Sequence, residues 1–247
     1  MSVPDLSGHV ALVTGAAHRL GQAIARRLHH AGADVAIHYH TSEPEARALA
    51  EELTATGPAG AQAFGCALED PDSHAPLVAS VTEAFGGLDL LVNNAARFYP
   101  TPVAEVSEAQ WDDLMGTNLK APFFLAQAAA EPLAERGGCI INLADVYAER
   151  PLAHHPVYSI SKAGVAMLTR TLAKELGPAV RVNAIAPGAA LWPETGLSEQ
   201  DKEVVLRQTA LGRPSGPGPI AEAVHFLAGA DYITGQIVGV EGGRLLY

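Results

Sequence analysis

Cysteine is scarce: Cys66 and Cys139 are the only two in 247 residues. Two cysteines cannot build a disulfide-dense scaffold, and their separation matches no zinc-binding spacing, so no metal site is expected. Both fall in apolar, strand-like runs, which predicts buried free thiols and a reducing compartment. Positive charge is also short. Lys and Arg total 16 against 27 Asp and Glu, a formal net charge of −11. A surface of that sign repels a phosphate backbone, so nucleic acid is not an expected partner. Apolar runs of roughly 18 residues, long enough to suggest a membrane span, are missing, so no membrane partner is expected either. Met1–His9 has neither a basic start nor an apolar stretch; no secretory leader is expected, and the expected location is the cytoplasm. What remains is 48% hydrophobic and 17% charged residues, enough to bury a full core and too apolar for global disorder.

Apolar segments alternate with amphipathic ones along the chain. Strands are predicted at His9–Val13, Asp34–Tyr39, Gln62–Cys66, Leu88–Asn93, Cys139–Leu143, Arg181–Ile185 and Ile237–Val240. Helices are predicted at Gly21–Ala31, Glu43–Thr56, Ser73–Phe85, Val157–Leu176, Asp201–Gln208 and Pro219–Ala228. Another runs from the Ser107-x-x-Gln110 capping box to about Ala134. The aliphatic strands suit a parallel sheet covered on both faces. Strand–helix alternation without a composition break predicts one α/β domain over residues 1–247, a doubly wound Rossmann sheet of about seven strands. The Pro- and Gly-rich stretch Gly212–Pro219 is expected to be a loop.

Thr14-Gly15-Ala16-Ala17-His18-Arg19-Leu20-Gly21 joins the first strand to the first helix, where a dinucleotide pyrophosphate meets exposed helix N–H groups. Gly15 would permit the tight turn and Gly21 close helix–sheet packing, although the spacing departs from G-x-G-x-x-G. An ordinary structural turn is the plain alternative. An NAD site commonly has an acid about 20 residues beyond such a motif. None stands in His38–Ser42. The imidazoles and hydroxyls there, His40, Thr41 and Ser42 among them, would tolerate a 2′-phosphate, which points to NADPH; a solvated polar loop is the alternative.

Tyr158 and Lys162 lie four apart and share one helix face. Bringing a phenol from about 10 toward 7 takes roughly 4 kcal/mol of phenolate stabilisation, a task suited to a lysine one turn away. Asp145 follows the fifth strand, where open α/β sheets place ligands; an Asx turn or helix cap is its structural alternative. Asn94 follows the fourth strand and Asn118 lies in the next helix. Phe98 could stack on a flat ring.

Together these residues resemble the short-chain dehydrogenase/reductase family over nearly the whole chain: Thr14-Gly15…Gly21, Asn93-Asn94-Ala95, Asn118, Tyr158…Lys162 and Pro187-Gly188. In that family the tyrosine exchanges the proton, the lysine binds the nicotinamide ribose and lowers the tyrosine pKa, and the asparagine supports the lysine through a water. Asp145 stands where the family usually has serine. With Arg19 in place of the middle glycine, His38-Tyr39-His40-x-Ser42, Phe98-Tyr99-Pro100, Asp145–Arg150 and Glu241-Gly242-Gly243-Arg244, it is similar to pteridine and dihydromonapterin reductases. The chain departs from them at Thr41, where arginine is frequent, and at Ala67, where an adenine-contacting aspartate is usual.

The resemblance implies NADPH held by Gly15, His18, Arg19, Leu20, His40, Thr41, Ser42, Ala67, Leu68, Asn94, Ala95, Ala96, Tyr158, Lys162, Pro187 and Gly188. It implies a catalytic set of Asn118, Asp145, Tyr158 and Lys162. Substrate contacts are expected from Arg19, Phe98, Asp145, Tyr158 and Trp192, with a pterin or dihydropterin as substrate and a homotetramer as the assembly. A carbonyl or 3-oxoacyl-thioester reductase is the alternative enzyme, and a catalytically silent dinucleotide-binding scaffold the alternative outside enzymes.

Overall fold

The computed structural model of the protein describes residues 4–192, 196 and 198–247. Seven parallel strands form one sheet in the order β3-β2-β1-β4-β5-β6-β7. They are β1 Val10–Val13, β2 Asp34–Tyr39, β3 Ala61–Gly65, β4 Leu90–Asn93, β5 Cys139–Leu143, β6 Arg181–Pro187 and β7 Ile237–Val240. The helices are α1 Arg19–His30, α2 Glu43–Thr56, α3 His74–Phe85, α4 Glu108–Met115, α5 Ala121–Arg136, α6 Pro156–Leu176, α7 Glu199–Arg207 and α8 Gly218–Gly229. The expected Rossmann architecture is therefore the observed one.

Each central strand buries both faces, with alternate residues feeding two layers. Ala11 and Val13 of β1 pack with Ile24 and Leu28 of α1, Leu49 of α2 and Val224 of α8. Val10 and Leu12 pack on the other side with Val81 of α3, Leu125 of α5 and Leu172 of α6. Each of the valine, leucine and isoleucine side chains contributes roughly 1.5–3 kcal/mol by leaving water. The one acid in the β4 run explains why that strand begins late. Asp89 turns its carboxylate back to accept the Val10 N–H at 2.8 Å, so a side chain takes the place of a ladder bond.

The long helix expected from Ser107 is interrupted. Its capping box is present in both directions, but Gly116–Lys120 forms a π-helical turn between α4 and α5. Asn118 and Thr117 sit in that turn, an irregularity that recurs at functional sites. The expectation for Cys66 also needs correcting. It lies just past β3 and is half-buried, whereas Cys139 is buried as expected; both are free thiols. None of the described helices is long and apolar enough to cross a membrane.

The chain leaves β1 for β2 and β3, then returns to β4 on the other side of β1. Loops after β1 and β4 consequently diverge, and a cleft opens at the carboxyl edge between them.

Candidate active site

The cleft has a volume of about 470 Å³ and is lined from the C-terminal ends of β1 through β6. At the β1 end, Gly15 turns the chain at φ +60°, with Ala95 packed against it. A Cβ on Gly21 would overlap the Gly15 carbonyl and the Asn94 amide. Asn94 ties the turn to the β4 loop, donating from Nδ2 to the carbonyls of Thr14 at 2.8 Å and Gly15 at 3.1 Å. Thr14 Oγ1 accepts from the N–H groups of Asn94 and Ala95 at 2.9 and 3.0 Å. Arg19, where the middle glycine is usual, keeps a glycine-like φ of +52°. A non-glycine residue there costs of order 1 kcal/mol or more, so the arginine is held for its side chain. Its Nη2 donates to the Trp192 carbonyl at 2.9 Å.

The first turn of α1 carries no acid and receives no side-chain cap from His18, which leaves its positive end for an anion. From beneath, His38 Nδ1 accepts the Gly15 N–H at 3.2 Å. Its other ring nitrogen lies 3.2 Å from the Cys66 carbonyl. That pairing requires the neutral ring protonated at Nε2, and burial pushes the imidazole down to about 4.

At the other end, Tyr158 Oη donates to Asp145 Oδ2 at 2.8 Å. The second oxygen, Oδ1, accepts the Tyr147 N–H at 3.0 Å. One carboxylate thus makes the Asx turn and the contact with the tyrosine. Lys162 Nζ donates to the Leu143 carbonyl at 2.7 Å and lies 5.7 Å from the Tyr158 ring centroid. Burial raises the Asp145 carboxyl above its usual range and brings Lys162 down to about 8. Tyr158 is pushed well up, first by burial and then by Asp145. Loss of water and a carboxylate in direct contact outweigh an ammonium bonded elsewhere, so Tyr158 holds its proton at neutral pH.

Asn118 sits in the π-helical turn between α4 and α5. Its Oδ1 accepts the Arg97 N–H at 2.8 Å, and Nδ2 donates to the Arg97 carbonyl at 3.0 Å and Ser161 Oγ at 3.2 Å. The amide braces the β4 loop against α6 and does not touch Lys162. Phe98 stacks on His155, centroids 4.7 Å apart, and meets Tyr158 edge-on at 4.8 Å. It is 44% exposed.

Of the residues expected at the cofactor, the cleft is lined by Gly15, His18, Arg19, Leu20, His40, Leu68, Asn94, Ala95, Ala96, Tyr158, Lys162, Pro187 and Gly188. Thr41, Ser42 and Ala67 are not in its wall. Thr41 is exposed, and Ser42 stands at the N-cap of α2. Of the substrate set, Arg19, Asp145 and Tyr158 line the cleft, while Phe98 adjoins it through Tyr158 and Trp192 through its carbonyl. Among the lining residues outside the expected site set are the polar side chains of His38, Glu69, Arg97 and Thr117. His38 falls in the His38–Ser42 stretch already read as lacking an acid. The others carry no local signature, because only the fold brings their loops together.

A dinucleotide fits this cleft on its own terms. The glycine turn leaves no room for a Cβ, the α1 terminus is uncapped, and the buried Thr117 hydroxyl in the wall has no partner among the described residues. Fold and site together define a Rossmann-type oxidoreductase. A profile described as Enoyl-(Acyl carrier protein) reductase matches residues 15–244. The 3-oxoacyl-[acyl-carrier-protein] reductase FabG of Staphylococcus aureus strain Mu50 is 39% identical over 241 residues, covering 96% of this chain and 98% of that protein. The FabG of Vibrio cholerae is 37% identical, covering 98% and 99%. Among solved structures, a blue fluorescent protein from a metagenomic library in complex with NADPH superposes with a TM-score of 0.91 at 35% identity, covering 98% of this chain and 99% of that one. The chain belongs to the short-chain dehydrogenase/reductase family, and it is an NAD(P)H-dependent oxidoreductase.

Proposed function

We propose that this reductase uses NADPH and acts on a pterin-class heterocycle, reducing a ring C=N bond. The observation that carries the reading is the buried Asp145 carboxyl on the Tyr158 hydroxyl. A carbonyl substrate presents only lone pairs to that position, and an ionised carboxylate repels them. A pterin presents N–H donors as well as a ring nitrogen, so it satisfies a carboxylate and still accepts a proton. The bound nicotinamide supplies the hydride. Tyr158 donates its proton to the ring nitrogen and is reprotonated from solvent, while the Asp145 carboxylate, 2.8 Å from Oη, is the acceptor for a pterin N–H. Lys162, beside the ring, stabilises the phenolate during the exchange. Arg19 and Phe98 border the same space and suit a flat, polar-edged ring. NADPH preference is supported by the absence of an acid at residues 38–42 and by His40 in the wall.

The relatives favour a second reading, reduction of a 3-oxoacyl thioester, since the named ones are FabG proteins at 37–39% identity. NADPH and NADH oxidation followed across dihydrobiopterin, dihydrofolate, dihydromonapterin and a 3-oxoacyl thioester decides between them. Turnover with a dihydropterin is expected; turnover confined to the thioester replaces the first reading with the second.

We further propose a cytoplasmic homotetramer. Trp111, Phe123, Ile160 and Met167 on α4–α6, and Phe226, Leu246 and Tyr247 near the C-terminus, are exposed large apolar groups of the kind subunit contacts cover. Light scattering should give four times the 25.7 kDa chain.

A further inference from the structure

No acid stands at residues 38–42, yet the fold brings one to the same place. Glu69, in the loop after β3, shares the cleft wall with His40 and Arg97. Arg97 Nη2 lies 2.9 Å from Glu69 Oε1, and His40 Nδ1 lies 4.0 Å from the same oxygen. The Arg97 main chain is fixed at both its N–H and its carbonyl by Asn118. Its Nη1 pairs with Asp113, which also accepts the Tyr99 hydroxyl at 2.7 Å. The guanidinium therefore faces two carboxylates from an anchored backbone, and His40 approaches one of them.

We propose that Glu69 sets selectivity at the 2′ position of the adenosine ribose by acting as an internal anion between His40 and Arg97, in the place a 2′-phosphate takes. The proposal rests on the NADPH reading above and names the group that tunes it. Burial works against the Glu69 charge, but a main-chain hydrogen bond and the neighbouring His40 and Arg97 keep it below the usual carboxylate range. The three side chains are about 36–47% exposed, so their pairings are screened and easily exchanged. A 2′-phosphate carries more charge than a carboxylate and offers three acceptors to a guanidinium fork, so it displaces Glu69 from both Arg97 and His40. A 2′-hydroxyl does not, and Glu69 stays where it is. Glu69 thus competes with NADPH and leaves NADH nearly untouched.

The test is binding of NADPH, NADH, 2′,5′-ADP and 5′-AMP by calorimetry to the wild type, Glu69→Gln and Arg97→Gln, at low and moderate salt. Glu69→Gln should tighten NADPH and 2′,5′-ADP about three- to tenfold, most at low salt. Arg97→Gln should loosen both at least about fivefold. NADH and 5′-AMP should stay within about twofold throughout. Circular dichroism checks that Arg97→Gln folds; if it does not, Glu69→Gln decides alone. Parallel changes for the phosphorylated and unphosphorylated ligands, or weaker NADPH binding to Glu69→Gln, would overturn the proposal. Equal wild-type affinity for 2′,5′-ADP and 5′-AMP would instead remove the NADPH reading on which it rests.

Discussion

Tyr158 has a carboxylate at hydrogen-bond distance and an ammonium above its ring, and the carboxylate is the closer of the two. Its proton is thus retained at neutral pH, the protonated form from which a reductase's proton donor starts. In the proposed mechanism Lys162 sets the upper pH limit. With its ammonium brought down to about 8 by burial, the charge that steadies the phenolate is present below that pH and lost above it. The kcat/KM for reduction should accordingly fall as pH rises through about 8, and a profile flat to pH 10 would contradict this role. Arg19 offers a different test. Its φ of +52° suits glycine better than arginine. Arg19→Gly should therefore leave thermal stability unchanged or raise it, by up to about 1 kcal/mol after the glycine's larger unfolded-state entropy is set against the relieved strain. The same change should raise the KM for cofactor or substrate. A stability loss with unchanged kinetics would make Arg19 a structural residue.

The elements that hold these residues differ in how plainly the sequence announces them. Strands β2 and β5 and helix α2 have the expected boundaries, because two-sided aliphatic runs and helical periodicity are local properties. The cap of α4 was equally legible: Ser107 accepts the Gln110 N–H and Gln110 reaches back. Ser107→Ala should cost about 1 kcal/mol, read as a lower midpoint in denaturant with unchanged slope; no change would mean the α4 start is held by its packing alone. The π turn at Gly116–Lys120 was not legible, since one shifted hydrogen bond leaves the apolar period almost intact. It nevertheless sets the position of Asn118, whose side chain grips the Arg97 main chain. The Tyr158–Lys162 pair was readable from spacing, whereas the upward shift of Tyr158 depends on a burial and a side-chain contact that spacing does not show. Glu69 and Arg97 meet across 28 positions of sequence, and no local pattern announces such a pair.

Over the whole molecule, the sheet order makes one switch point, and everything argued to bind or react lies at its carboxyl edge. The fold is shared with oxoacyl reductases, so it cannot by itself choose the substrate. On the reading proposed here that choice falls to Asp145, the acid that stands where the family usually has serine. The most direct measurement is steady-state kinetics of the wild type and Asp145→Ser on dihydrobiopterin and on a 3-oxoacyl thioester. The wild type should reduce the dihydropterin. The serine variant should lose that activity at least about tenfold while its thioester activity rises or holds. A wild type active only on the thioester, or a serine variant that keeps full dihydropterin turnover, would contradict the role given to the Asp145–Tyr158 pair.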